Sequence, residues 1–139
     1  MLISGIKELF GCDGNCKIAL KSYNGKYVVA ENTGYANANR GALGPWEIWT
    51  VTFIGDNKVQ LKGYHGKYLK AEKDNDDINA NSPIASTQET FTVAQRGDGF
   101  TFKSYKGKYL VAGSPTGHLN TNQASSSNQE AFKVELVGN

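Results

Sequence analysis

The chain has 139 residues, which is the length of one average domain. Its content of 39% hydrophobic and 20% charged residues is typical of a folded globular protein and excludes a disordered chain. The net charge of +2 is too small for the basic field that dominates nucleic-acid binding, so we expect no nucleic-acid partner.

The first 16 residues differ from the rest of the chain, because only they show the spacing of a helix. Apolar residues fall on one helical face at Leu2, Ile6, Leu9 and Phe10. This pattern predicts a short helix that plugs or covers one end of the barrel, with a dimer contact or a membrane-surface helix as alternatives. No run approaches the roughly 20 apolar residues of a membrane-spanning helix, and no secretory cleavage site follows the apolar start. We therefore expect a cytoplasmic protein, or a secreted one if a signal has been removed.

The only cysteines, Cys12 and Cys16, lie in the segment GCDGNC. Two thiols without a nearby histidine do not complete a four-ligand zinc site, so no metal is expected here. The Gly, Asp and Asn residues would also let the chain turn back and form a disulfide, which requires an oxidising compartment. For a cytoplasmic protein the sequence favours two reduced thiols in a turn.

A motif with the core Y-x-G-K-Y recurs three times at intervals of 41 residues. The copies are LKSYNGKYVVAE from Leu20, LKGYHGKYLKAE from Leu61 and FKSYKGKYLVAG from Phe102. Each copy is followed by an N-x-N pair and then by an aromatic residue two positions before a valine. Three copies in the same order predict three units of one domain. The predicted bounds are 1–16 for an N-terminal extension, 17–139 for the domain, and 17–57, 58–98 and 99–139 for the repeats.

Each repeat is predicted to form four short strands. Apolar and polar residues alternate on both sides of the motif, and the motif glycine supplies the backbone freedom that a hairpin turn requires. Closing three such units around a pseudo-threefold axis leaves no strand edge exposed, whereas three blades are too few for a propeller. The sequence therefore predicts an all-β fold, a β-trefoil in which three hairpins cap a six-stranded barrel. The predicted core residues are Leu20, Val28, Trp49, Leu61, Leu69, Phe91, Phe102, Leu110 and Phe132.

The repeated pattern L-K-S-Y-x-G-K-Y-L-x-A, followed by E-x-F-x-V, resembles the fascin-like β-trefoil family. In size the chain is similar to the single-trefoil, hisactophilin-like members. The resemblance implies a cytoskeletal binding module that contacts filamentous actin or another protein surface, here as a monomer. Only His65 and His118 are present and Leu2 follows the first methionine, so neither a histidine-driven pH switch nor N-myristoylation is expected.

Two sets of lysines recur with the motif and form the candidate partner-binding surface. One set precedes the first motif tyrosine, and the other follows the motif glycine. A lysine stem can cover a neighbouring tyrosine ring while its ammonium stays in water, so packing competes with actin binding as the reason for the recurrence. The candidates are Lys21, Lys26, Lys62, Lys67, Lys103 and Lys108.

The N-x-N pairs indicate an alternative function, a lectin-like carbohydrate-binding module with up to three sites. Amide side chains offer both donors and acceptors to sugar hydroxyls, although a structural role in turns competes with this interpretation. Tyr35 lies near the first pair, but its equivalents in the other two copies are not aromatic. We therefore do not expect a stacking ring beside every pair. The candidates are Asn37, Asn39, Asn79, Asn81, Asn120 and Asn122.

No motif of an enzyme or cofactor site occurs in the sequence, so we expect a non-catalytic protein without cofactor or metal. Glu47, Glu89 and Glu130 recur two residues before the buried aromatic. Threefold symmetry holds them apart, and this excludes a shared catalytic or metal ring. We expect each carboxylate to accept backbone N–H bonds in the turn of its own repeat.

Overall fold

A computed structural model describes residues 5–12, 14–55, 57–123 and 127–138. In these residues the chain forms one short helix, twelve strands and three single-turn 3-10 helices. The helix is α1 (Ile6–Phe10), and the 3-10 helices are Pro45–Glu47, Thr87–Glu89 and Asn128–Glu130. The strands are β1 (Cys16–Lys21), β2 (Tyr27–Ala30), β3 (Ala36–Arg40), β4 (Trp49–Phe53), β5 (Lys58–Lys62), β6 (Tyr68–Ala71), β7 (Ile78–Ser82), β8 (Phe91–Arg96), β9 (Gly99–Lys103), β10 (Tyr109–Ala112), β11 (Leu119–Gln123) and β12 (Lys133–Gly138).

The first and fourth strands of each repeat form a closed antiparallel barrel. Strand β1 pairs with β12 and β4, β4 with β5, β5 with β8, and β8 with β9. Reciprocal backbone hydrogen bonds of 2.8 Å between Phe100 and Phe132 close the remaining side. The second and third strands form three hairpins, β2–β3, β6–β7 and β10–β11. The predicted β-trefoil is confirmed.

The motif glycines make the sharp turns that lead from the barrel into the hairpins. Gly25 has a φ of 79°, and Gly66 and Gly107 have φ values of 80°. This left-handed conformation costs glycine nothing sterically but is unfavourable for residues with a Cβ atom. The Y-x-G-K-Y motif therefore recurs for a local backbone reason.

The barrel interior contains the hydrophobic core. All nine core residues predicted from the repeat have no exposed surface, which confirms their assignment. Trp49 replaces the phenylalanine of the other two repeats, and its indole Nε1 donates a hydrogen bond of 3.1 Å to the Val28 carbonyl. The one polar atom that this larger ring brings into the core is therefore paired.

Helix α1 packs its apolar face against one end of the barrel. Ile6 and Phe10 are buried, and the Phe10 ring meets Phe53 and Phe100 edge-on at centroid distances of 5.8 and 4.9 Å. Leu9 lies on the exposed side, and the fourth residue of the predicted apolar face, Leu2, lies outside the described residues. No helix in the described part of the chain is long and apolar enough to cross a membrane.

The prediction of two reduced thiols is wrong, because a disulfide joins Cys12 to Cys16. The helix ends at Phe10 and is capped by Gly11. The Cys12 N–H donates a hydrogen bond of 2.9 Å to the Lys7 carbonyl. Strand β1 begins only four residues later, so the two Cα atoms lie 5.6 Å apart, within the usual range for a disulfide. The bond ties the helix to the first barrel strand.

Candidate binding surfaces

The three recurring glutamates have a structural role, as predicted. Each is buried and accepts the backbone N–H of the residue three positions earlier, at the start of a 3-10 helix. A buried carboxylate requires such donors, because its charge is otherwise costly to remove from water. The pairs are Gly44 to Glu47 at 2.5 Å, Ser86 to Glu89 at 2.7 Å and Ser127 to Glu130 at 2.6 Å.

In each copy of the motif, the lysine before the first tyrosine lies over the ring of the second tyrosine, which is on the neighbouring strand. The ammonium nitrogen is 5.2 to 5.8 Å from the ring centroid in all three repeats, within the range of a cation–π contact. This packing explains why these lysines recur without requiring a partner. The pairs are Lys21 with Tyr27, Lys62 with Tyr68 and Lys103 with Tyr109.

The lysine that follows the motif glycine does not have the same environment in all three copies. Lys26 and Lys67 are exposed. Lys108 lies 3.5 Å from the Asp76 carboxylate of the preceding repeat. Lys26 and Lys67 are therefore the members of this set most accessible to a partner protein.

The structure brings the first asparagine of each N-x-N pair to the pseudo-threefold axis. There each hairpin bonds to the next: Ala38 N–H donates to the Gly117 carbonyl at 2.7 Å. The equivalent bonds run from Ala80 to Gly34 at 2.8 Å and from Thr121 to Asp76 at 2.7 Å. The pattern is cyclic, so each repeat donates once and accepts once.

Two members of the asparagine set at this axis, Asn37 and Asn79, make side-chain contacts with a glutamate of their own hairpin. Asn37 Nδ2 donates to Glu31 at 3.2 Å, and Asn37 Oδ1 lies 3.1 Å from His118 Nδ1. Asn79 Nδ2 donates to Glu72 at 2.9 Å, while its buried Oδ1 has no partner in the described residues. The Asn37 side chain therefore connects the first and third hairpins, whereas the Asn79 side chain bonds within its own hairpin.

The remaining members of the asparagine set make local contacts, Asn39, Asn81 and Asn122 in the outer parts of the hairpins and Asn120 at the axis. Asn39 and Asn81 are exposed; Asn39 Oδ1 accepts a bond of 2.6 Å from Arg40, and Asn81 Nδ2 reaches Glu72 at 3.4 Å. Asn120 Oδ1 accepts the backbone N–H of Asn122 at 3.2 Å. The set of six does not form a single site.

Glu72 is the carboxylate at the centre of one of these networks. Partial burial favours its neutral form, but the hydrogen bond from Asn79, the nearby Lys70 ammonium at 3.3 Å and the contact with Asn81 outweigh burial. The pKa of Glu72 is therefore lowered below its ordinary value of 4.5. These contacts favour the charged carboxylate.

We expect Glu72→Gln to lower the free energy of unfolding at neutral pH by about 1 kcal/mol. The folded-state pKa is the lower one, so the carboxylate stabilises the fold above the unfolded-state pKa, and this contribution is lost as the pH falls through the folded-state value. The difference between wild type and variant should therefore disappear in acid. Urea unfolding at neutral and acid pH measures it, with exposed Asp74→Asn as the control. A difference independent of pH would contradict the prediction.

Each repeat also exposes an aromatic ring that the sequence interpretation missed, the first tyrosine of the motif. The exposed fractions are 45% for Tyr23, 61% for Tyr64 and 39% for Tyr105. Every copy therefore exposes an aromatic ring, although at the motif turn and not beside the N-x-N pair, to which the sequence expectation applied. The signal in the sequence was an aromatic residue in the same turn of all three copies.

Each of these tyrosines lines a cleft between its own turn and the preceding repeat around the barrel. For Tyr23, in the first repeat, the preceding repeat is the third. The wall opposite the ring comes from the 3-10 helix and fourth strand of that repeat. The cleft volumes are about 450, 560 and 210 Å³ for Tyr23, Tyr64 and Tyr105 respectively. Residues at equivalent positions of the opposite wall are Asn128 and Lys133, Pro45 and Thr50, and Thr87 and Thr92.

Comparison with known proteins identifies a family for the chain and supports its β-trefoil fold. The sequence model of the FRG1-like domain family matches residues 44–136, which is more than half of the chain. No curated protein matches the chain.

Three solved structures that resemble the chain are each less than 25% identical to it, so they show the fold alone. The designed 3-fold symmetric protein ThreeFoil is 20% identical with a TM-score of 0.74, over 86% of this chain and 97% of that protein. A mosquitocidal holotoxin is 12% identical with a TM-score of 0.76, over 87% of this chain but 17% of the toxin chain. Cry35Ab1 is 17% identical with a TM-score of 0.73, over 90% of this chain and 36% of that one.

Proposed function

We propose that this chain, which belongs to the FRG1-like domain family and folds as a β-trefoil, is a non-catalytic binding module. The side chains best suited to acid–base chemistry serve the fold. The three recurring glutamates cap 3-10 helices, His65 Nε2 lies 3.0 Å from the Ala30 carbonyl, and His118 contacts Asn37. None of these contacts supports a nucleophile with an adjacent base.

The first candidate partner is filamentous actin, bound in the cytoplasm by a monomer at the side of the filament. The fascin-like motif supports this choice, and the observation that carries it is the exposure of Lys26 and Lys67 at the same position of two repeats. The other candidate lysines already contact a tyrosine ring or Asp76. Opposite charge on the filament would steer the encounter and hold the complex.

In co-sedimentation, we expect the protein to pellet with actin filaments at low salt and to be released as the salt concentration rises, because ions screen exposed charges. The double variant Lys26→Glu, Lys67→Glu should weaken binding about tenfold. Lys73→Glu changes another exposed lysine by the same charge and is the control. Absence of pelleting at low salt, or equal weakening by the control, would contradict actin binding through this surface.

The second candidate function is carbohydrate binding, and the disulfide between Cys12 and Cys16 favours it. Disulfides persist in oxidising compartments, where extracellular glycans are also found, whereas the actin proposal requires a reducing cytoplasm. Among the asparagines, Asn37 and Asn79 already contact the glutamates of their hairpins. The outer members Asn39, Asn81 and Asn122 are the ones to test because they are exposed.

If these asparagines hold sugars, Asn39→Ala, Asn81→Ala and Asn122→Ala should each remove about one third of the binding sites, since distant positions act nearly independently. A glycan array identifies the sugar, and titration of the wild type and the three variants with it gives the number of sites. Full binding by the triple variant would show that the asparagine set is structural.

A further inference from the structure

Three clefts around the barrel repeat the same construction. Each combines the first tyrosine of a motif with the 3-10 helix and fourth strand of the preceding repeat. The three clefts are therefore related by the pseudo-threefold axis. They are separate from the asparagine set at that axis, because none of the six asparagines lines them.

The tyrosine rings in these clefts present a flat apolar surface to solvent. Their exposed fractions lie between 39% and 61%, so part of each ring is accessible to a ligand. A motif glycine, Gly25 or Gly66, lies beside the ring in the first two clefts and keeps the approach open. An exposed ring in a concave site suits a ligand with both an apolar face and polar edges, and a sugar ring has both.

The charge of the clefts selects among such ligands. The second cleft is lined by Lys17 and Lys62, and the third by Lys58, with no carboxylate among the described lining residues of either. In the first cleft Asp98 accompanies Lys21, Lys133 and Arg96, and it lies 3.8 Å from the Lys133 ammonium. Lysines therefore outnumber carboxylates among the described lining residues of all three clefts. Lys21 and Lys62 also contact tyrosine rings but keep their charge, so the clefts complement an anionic ligand.

We propose that the clefts bind an acidic saccharide, with a sugar ring stacked on the tyrosine and its carboxylate or sulfate group beside the lysines. The inference rests on the second candidate function, saccharide binding, and assigns to it a new site and a class of ligand. A polymer with regularly repeated acidic sugars engages more than one cleft at once and gains affinity through avidity. The first two clefts fall within the about 300–1,000 Å³ of small-ligand sites and bind more tightly than the third.

Single-stranded nucleic acid also combines a planar ring with an anionic group, but the arrangement of the clefts disfavours it. Proteins that bind single strands use a continuous positively charged groove with successive stacking platforms. Here the platforms are separated by a third of a turn around the barrel, and the chain has a net charge of only +2. An RNA oligomer therefore serves as a competing ligand in the test.

The test is calorimetric titration of the full chain, at low and high salt, with three probes of similar length. They are a heparin tetrasaccharide, a hyaluronan tetrasaccharide and neutral maltotetraose, so that sulfate, carboxylate and uncharged sugars are compared. We expect one or both acidic probes to bind at low salt, to weaken as salt rises, and to exceed maltotetraose at least tenfold in affinity. A poly-U octamer is titrated in parallel.

Substitutions identify the site. Tyr64→Ala and Tyr23→Ala should each weaken binding at their own cleft about tenfold, whereas Tyr64→Phe should retain it because the ring face remains. The control is Tyr35→Ala, which removes a tyrosine that is 56% exposed but lies outside the clefts. Replacing both lysines of the second cleft, Lys17→Gln with Lys62→Gln, should reduce both the affinity and its dependence on salt. Unchanged thermal unfolding shows that the variants are folded.

The outcomes separate this proposal from the function on which it rests. If maltotetraose binds as tightly as the acidic probes, or Tyr35→Ala weakens binding as much as Tyr64→Ala, the acidic-saccharide site is wrong while saccharide binding stands. Tighter binding of the poly-U octamer overturns the ligand class. If no saccharide binds even at low salt, both the site and the second candidate function are rejected, and the actin proposal is unaffected.

Discussion

Phe132→Ala should lower the free energy of unfolding by about 3 to 5 kcal/mol, because it removes a fully buried ring and leaves a cavity. Phe132 has no exposed surface, and its ring packs edge-on against Phe102 at a centroid distance of 5.9 Å. The backbone bonds between Phe132 and Phe100, which close the barrel, do not involve the side chain. The variant therefore reports on packing alone.

Equilibrium urea unfolding of wild type and Phe132→Ala measures this loss. Ile84→Ala is the matched control, since it also removes a large apolar side chain but one that is 65% exposed. We expect the control to change the free energy of unfolding by less than about 0.5 kcal/mol. A cost for Phe132→Ala as small as that of the control would show that the ring does not pack in a tight core.

The elements that the sequence predicted well are those that each repeat determines on its own. Alternation in the strands identified core residues such as Leu61 and Phe91, and a glycine in every motif identified the turns. The recurring carboxylate of Glu89 could be assigned to backbone N–H bonds in the turn of its own repeat, and the structure places these bonds at the start of a 3-10 helix. Repetition also indicated that the units close into a barrel.

The features that the sequence did not predict arise between repeats. Tyr64 lies in a turn, where strand alternation does not indicate which side of the sheet a residue faces, and the opposite wall of its cleft comes from the preceding repeat. The bond between Ala38 and Gly117 joins residues of different hairpins, and no pattern within one repeat indicates it. The disulfide depended on where α1 ends relative to β1, and the composition of the segment left that position undetermined.

The axis contact at Gly117 leads to the second large effect on stability. Gly117 is buried with a φ of 82°, and a Cβ atom there would lie 2.4 Å from the Ala38 carbonyl oxygen and 2.9 Å from its carbon. Both atoms belong to the backbone of β3, which is fixed in the sheet by its pairing with β2. The neighbour cannot move aside without separating the first and third hairpins.

We expect Gly117→Ala to destabilise the protein by about 2 to 5 kcal/mol, as the sum of a left-handed backbone cost of about 1 to 2 kcal/mol and an overpacking cost of about 1 to 3 kcal/mol. Gly25→Ala separates the two terms, because Gly25 has nearly the same φ of 79° but no atom within 4 Å of the added Cβ. That control should show the backbone cost alone. Unfolding of both variants in urea gives the difference, and equal costs would mean that the hairpins do not approach each other this closely at the axis.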